Sequence, residues 1–297
     1  MPIAVALFLA ATSIAPAQAD SAITVAFAGS MGVVMDRGLA PAFTAKTGII
    51  VHPMGQAAMA LAHLITAKSI NPDVFISVSA APIKVVEAAS LSSGATPIAG
   101  TSMVLAYGPK SPFAASFAAA HGADWTKILE HPGLRFGRTD PKTDPQGQYV
   151  LYTLQLAGKF YHIPGFAHHI AGGTNNPAQI FTEPSLLSRL QDGEIDASLG
   201  YESAVRSQHL PFIVLPPEIN LGSPAMAASW YKQASLTTTT GGTTKITHPS
   251  PLVFYATALK NAPNPAAARA FVAFLNSKAG QKIFAQYGYA PGQGPGV

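Results

Sequence analysis

The feature that most constrains this chain is the alternation of short β-branched runs with amphipathic helical segments. Ile23–Ala28 (ITVAFA) reads as a strand, Gly29-Ser30 as a turn, and Val34–Thr47 as a helix closed by Gly48. Ile49–His52, Asp73–Ser77, Thr101–Tyr107, Leu134–Gly137, Ala197–Gly200 and Phe212–Leu215 read as further strands. Ala57–Ala67, Pro82–Ala88, Trp125–Leu129, Gln148–Phe160 and Pro184–Leu190 read as the helices among them. Asp124 is expected to cap its helix, and Pro184 suits a first helical turn. Near the end, Asn264 and Pro265 start a helix whose Ala270, Phe271, Phe274 and Leu275 share one face; another runs over Ala279–Tyr287. Ser235–Thr244 (SLTTTTGGTT) is expected to be a polar loop or hairpin tip. This order predicts an α/β fold with mostly parallel sheets flanked by helices.

Composition removes several functions. The 297 residues carry no cysteine, so disulfides, thiolate metal sites and cysteine nucleophiles are excluded. Charged residues are 11%, less than half the usual share of roughly 25%. The net charge of +4 is not concentrated in any basic run, so nucleic acid is not an expected partner. Residues 1–19 (MPIAVALFLAATSIAPAQA) are apolar, uncharged and end in Ala17-Gln18-Ala19. That is the pattern of a signal peptide cleaved after Ala19, and a periplasmic location is expected.

Candidate chemistry concentrates in strand-to-helix turns. Ala28-Gly29-Ser30-Met31-Gly32 is compatible with a capped turn, an anion site built from the Ser30 hydroxyl and free amides, or a variant nucleophile elbow. Asp144-Pro145-Gln146-Gly147 precedes a long helix; Asp144 can cap it, face a ligand or bind a metal centre, and Gly147 permits close backbone approach. Tyr201 and Glu202 follow a strand, where a Tyr hydroxyl can donate to a ligand. His162, His168 and His169 cluster without a metal-ligand spacing. Neither a G-x-x-x-x-G-K-[ST] loop nor a G-x-G-x-x-G turn occurs, and no cofactor is expected.

Taken in order, several segments resemble the periplasmic binding proteins for molybdate and tungstate. They are Ala28-Gly29-Ser30, Pro72-Asp73-Val74-Phe75-Ile76-Ser77 and Met103-Val104-Leu105-Ala106-Tyr107. Gly137-Arg138-Thr139-Asp140-Pro141 with Asp144-Pro145 and Gly147 is close to the tungstate-type subgroup. So are Leu215–Leu221 and Phe274-Leu275-Asn276-Ser277 with Gly280-Gln281. The resemblance implies a two-lobed, type II periplasmic-binding-protein fold with the ligand cleft between lobes. Lobe one would comprise 20–104 and 219–297, and lobe two 105–218. It further implies a monomeric solute-binding component that delivers molybdate or tungstate to the membrane permease of an ABC importer. The ligand-binding residues implied are Gly29, Ser30, Ser77, Asp144, Gly147, Tyr201 and Glu202, with Asp144 and Glu202 on the metal atom of the oxyanion.

Two positions depart from that pattern. The expected Glu before Tyr201 is Gly200, with Glu202 after it, and the expected Ser of the second turn is replaced by Gln56-Ala57-Ala58. Gln56, Ser77 or Ser79 would have to supply the missing donor. Another small anion or carboxylate is therefore an alternative ligand. An exported serine hydrolase using Ser30, or an orphan sensor subunit, are alternative functions.

Overall fold

The computed structural model describes residues 22–240 and 243–297. The expected signal peptide and the Gly241-Gly242 tip of the threonine-rich stretch lie outside the described residues.

Twelve strands form two main sheets and a hairpin among the described residues. The strands of the first sheet are β1 (Ala22–Ala28), β2 (Ile50–Gln56), β3 (Val74–Ser77) and β4 (Thr96–Gly100). The second contains β5 (Met103–Tyr107), β6 (Phe136–Gly137), β7 (Ala197–Tyr201) and β8 (Phe212–Val214). A hairpin of β9 (Leu236–Thr240) and β10 (Thr243–Thr247) follows, before β11 (Val253–Ala258) and β12 (Ala290–Pro291) return to the first sheet. The spatial orders are β12-β4-β11-β3-β1-β2 and β6-β7-β5-β8. The chain thus passes from one sheet to the other at Thr101–Ser102, and back after β8.

The sheets are mixed, and this corrects the expectation of mostly parallel pairing. Parallel pairs are β1–β2, β1–β3 and β6–β7, each spanned by helical crossovers. β11 enters between β3 and β4 and runs antiparallel to both, and β5 runs antiparallel to β7 and β8. The β11 and β12 strands, Thr96–Gly100 and the helix Phe166–Ala171 were not anticipated from sequence.

Helices cover both sheets, so β3, β5 and β7 are buried along their whole length. Phe43 and Phe271 meet edge-on at 5.0 Å, with Phe274 beside them, where helix Pro265–Leu275 meets the helix Ala40–Thr47; its buried face holds Ala268, and Ala270, expected there, is exposed. A smaller cluster of Val104, Leu186, Leu190, Ile195 and Val205 fills one face of the second sheet. The hairpin packs on helix Pro145–Phe160, where Gln155 exchanges hydrogen bonds with the Ser235 backbone at 3.0 Å each way.

Two expected caps differ. The N-cap of helix Asp124–Leu129 is Ala123; Asp124 lies inside the first turn, where its charge faces the positive helix end, and accepts from His121 N–H. Asn264 occupies its N-cap position, but its side chain donates to Ala22 O at 2.8 Å and ties down the start of β1. Beside it the buried Asp73 carboxylate accepts the backbone N–H of Thr24 at 2.8 Å and of Asn264 at 2.6 Å. Substituting Asp73→Ala strands both donors and is expected to lower unfolding free energy by about 2–4 kcal/mol in urea titrations.

Asp196 anchors the start of β7. Its buried carboxylate accepts from Arg135 Nε at 2.9 Å and Nη2 at 2.7 Å, from Arg135 N–H and from Ser111 Oγ. Burial pushes its pKa up, but these bonds outweigh burial and hold it below the ordinary carboxylate range. A depressed pKa contributes stability that is present above the unfolded value of about 3.9 and is lost as pH falls through the folded value. Acid unfolding should therefore steepen below about pH 4, and Asp196→Asn should flatten that slope while lowering stability at neutral pH.

Candidate functional site

Four strands of the two sheets end at one cleft, as ligand sites in open α/β sheets commonly lie beyond the carboxyl ends of strands. β1 ends at Ala28 and continues into a 3-10 turn, Gly29–Met31. Its parallel register sets Ala28 opposite Gln56, so the two turns lie side by side. β2 leads through Ala57 into helix Ala58–Thr66. From the second sheet, β6 leads through Arg138–Asp144 into helix Pro145–Phe160, and β7 ends at Tyr201 before helix Glu202–Ser207.

The cleft has a volume of about 1050 Å³ and is lined by Gly29, Ser30, Gln56, Ala57, Ala58, Thr139, Asp140, Asp144, Thr182 and Tyr201, among others. Helix Ala58–Thr66 has no side-chain cap, so its first amides are left to donate to an external partner. The start of helix Pro145–Phe160 is already occupied: Asp144 Oδ1 accepts Gln146 N–H at 2.9 Å. Asp144 therefore performs the capping role and also lines the cleft. Burial raises its pKa, an effect partly offset by Gln146 N–H and the neighbouring Thr139 hydroxyl and reinforced by Asp140. Thr139 is itself buried, and apart from this proximity to Asp144 its hydroxyl makes no hydrogen bond among the described residues.

The predicted site residues do not all meet. Gly29, Ser30, Asp144 and Tyr201 line the cleft. Ser77 is fully buried at the end of β3, where its hydroxyl donates to Ser79 O at 2.8 Å and accepts Ser79 N–H, closing a local turn. Gly147 faces the 139–141 backbone: a Cβ there would collide with Thr139 O and stand 2.7 Å from Pro141 N. Its close approach supports the loop behind the lining. Glu202 lines a neighbouring cavity of about 1080 Å³. Ser102 Oγ donates to its Oε2 at 2.8 Å and Arg206 Nε to its Oε1 at 2.7 Å, so both oxygens are engaged. Asp144 and Glu202 are thus not assembled around one point.

Residues that sequence reasoning missed include Thr139, Thr182, Asp36 and Arg37, all on the lining. Thr139 sits inside the Gly137–Pro141 turn, so its signal was present; Asp36 and Arg37 carry no local signature. Asp36, Asp140, Asp144 and Arg37 are the charged residues of the lining, and no histidine is among them. His169 Nδ1 instead lies 3.7 Å from Glu130, away from this cleft. Among the described residues no group of three or more His, Cys, Asp or Glu is placed to hold a metal ion. Gly147→Ala should displace the 139–141 loop, costing about 1–3 kcal/mol in stability. The cleft tyrosine's fluorescence, referenced to a Tyr201→Phe control, should report the shift.

Comparison with known proteins places this geometry. The model of the bacterial extracellular solute-binding protein family matches residues 23–290. Among curated relatives, the "Molybdate/tungstate-binding protein WtpA" of Pyrococcus abyssi is 32% identical over 179 residues, covering 54% of this chain and 51% of that protein. The Thermococcus kodakarensis protein of the same name is 30% identical over 201 residues, 61% of this chain and 56% of that protein. The chain therefore spans about half the length of these two relatives. An uncharacterized solute-binding protein of Halobacterium salinarum is 30% identical over 261 residues, 86% of this chain and 81% of that protein. The solved periplasmic molybdate-binding protein of Azotobacter vinelandii superposes with a TM-score of 0.63 at 16% identity, covering 91% of this chain and 100% of that one. With these matches and its two-lobed type II periplasmic-binding-protein fold, the chain belongs to the bacterial extracellular solute-binding protein family.

Proposed function

We propose that this protein captures a tetrahedral oxyanion, molybdate or tungstate, outside the cytoplasm and delivers it to the permease of an ABC importer. The observation that carries the reading is the uncapped start of helix Ala58–Thr66 beside the Gly29–Met31 turn, both opening on the cleft. Oriented amides and hydroxyls hold a dianion without a lysine or arginine contact. The named ligands of the Pyrococcus and Thermococcus relatives select molybdate and tungstate within the oxyanion class. Each sheet with its helices forms one lobe in this reading. A cleft so much larger than a tetraoxo anion closes by hinge motion at the Thr101–Ser102 crossing and the return after β8. The protein works as a monomer, released by cleavage after Ala19.

Ser30, the Gly29 amide, Thr139 and Tyr201 are the proposed contacts. Glu202, committed to Ser102 and Arg206, leaves the ligand four-coordinate, with Asp144 as the cap of the adjoining helix. A serine hydrolase would need a base beside Ser30, and the lining offers no histidine. A different small anion is the second reading, favoured by Gln56 on the lining where a short hydroxyl donor was expected.

Thermal unfolding of mature 20–297 with molybdate, tungstate, sulfate and phosphate tests the function. Ligand at 100 times its dissociation constant should stabilise by roughly 2.7 kcal/mol. A response to molybdate or tungstate is expected, and silence with all four would refute the oxyanion reading. Ser30→Ala, losing one bond to a charged ligand, should weaken binding about tenfold or more in titration calorimetry. The pH dependence carries a sign. An ionised Asp144 beside a bound dianion repels it, and the dianion pushes an already raised pKa further up, so binding takes up a proton. Affinity should rise as pH is lowered from neutral towards the ordinary carboxylate range, and Asp144→Asn should remove the slope. The opposite slope would put an Asp144 oxygen on the metal atom.

A further inference from the structure

Arg138 is fully buried, between Gly137 of β6 and the cleft-lining Thr139. Its backbone joins two walls of the cleft. Arg138 N–H donates to Gln179 O at 2.8 Å, and Phe181 N–H donates to Arg138 O at 3.0 Å. The segment so joined, Ile180–Thr182, lines the cleft beside Thr139 and Asp140. Its side chain points to neutral acceptors only. Nη2 donates to Gly173 O at 2.9 Å and Thr174 O at 3.1 Å, and Nε to Gln179 Oε1 at 3.3 Å. Nη1 is buried with no partner among the described residues. None of the ion pairs among the described residues includes Arg138.

A guanidinium stays charged in a protein, and a buried charge ordinarily has a counter-ion. Burial lowers the Arg138 pKa, and the Asp140 carboxylate, on the cleft lining, partly offsets that. The residues its side chain bonds are not on the lining, so its charge reaches the cleft through the field behind Thr139 and not by contact. Arg37, the cation on the lining itself, is exposed and screened by salt; Arg138, behind the lining, is shielded from it.

We propose that Arg138 is the fixed counter-charge and positioning residue of the site: it staples the 139–144 and 180–182 walls together, and its unpaired charge favours ligands in proportion to their negative charge without touching them. This inference rests on the oxyanion reading and adds to it a selection for dianions over monoanions of the same shape.

The test compares tungstate with perrhenate, a tetrahedral monoanion, by equilibrium competition binding to wild type, Arg138→Met and Gln179→Glu. Coulomb energy is linear in ligand charge, so a loss of about tenfold for perrhenate becomes about a hundredfold for tungstate, and the affinity ratio falls about tenfold. Gln179→Glu keeps the guanidinium and sets a carboxylate beside Nε. It cancels the charge in place and gives the same fall in ratio even where Arg138→Met does not fold. A ratio unchanged in the folded variants, with both ligands weakened alike, would make Arg138 a structural staple and overturn the charge role alone. Wild-type protein that binds neither anion would overturn the oxyanion reading and this inference together.

Discussion

Everything in this cleft follows from backbone N–H groups that a helix cannot satisfy by itself. The first turn of any helix leaves donors over, and burying them without an acceptor is costly. Here strands from two sheets run directly into helical turns, and their loose donors are gathered at one place. One start, at Pro145, is closed by the chain's own Asp144, and another, at Ala58, carries no side-chain cap. On the proposed function, the difference between the two is what leaves donors for something from outside. In the proposed function an anion completes the valence that the fold leaves incomplete.

The negative charge on the lining sets the terms of that completion. Asp36, Asp140 and Asp144 face the same space as a single exposed arginine. An anion enters such a space only if dipoles and buried charge outweigh the carboxylates. Asp144 is already partly spent on Gln146 N–H, and its raised pKa reduces its repulsion. Arg138 adds a cation that solvent cannot screen. The low charge content of the chain fits a design in which few, fixed charges act through a dry wall.

Much of the first sheet was legible because its signal is local. ITVAFA followed by Gly29-Ser30, and the Val74-Phe75-Ile76 run inside Asp73–Ser77, declare buried strands by residue type alone. β11 and β12 were missed because their place depends on partners more than 150 residues away, which no local pattern encodes. The site shows the same division. Ser30 and Asp144 sit in turns with their own signature, and both reach the cleft. Glu202 has a signature too, but Ser102 and Arg206 claim it, and that is a tertiary fact. Asp124 and Asn264 carried cap signatures of the same local kind, yet one entered its helix and the other reached back to β1. A short polar side chain next to a helix start has several backbone partners in range, and packing chooses among them.

The insertion of β11 between β3 and β4 has a consequence for how the molecule is made. The first sheet has a gap at its centre until residues 253–258 have emerged, although β1 to β4 are the first strands synthesised. The second sheet lies wholly within residues 103–214 and can close earlier. Joining ends so distant in sequence is slow. Under the proposed export, a chain threaded unfolded through a translocation pore gains time from this order, because β4 cannot join the β3-β1-β2 strands before β11 arrives between them.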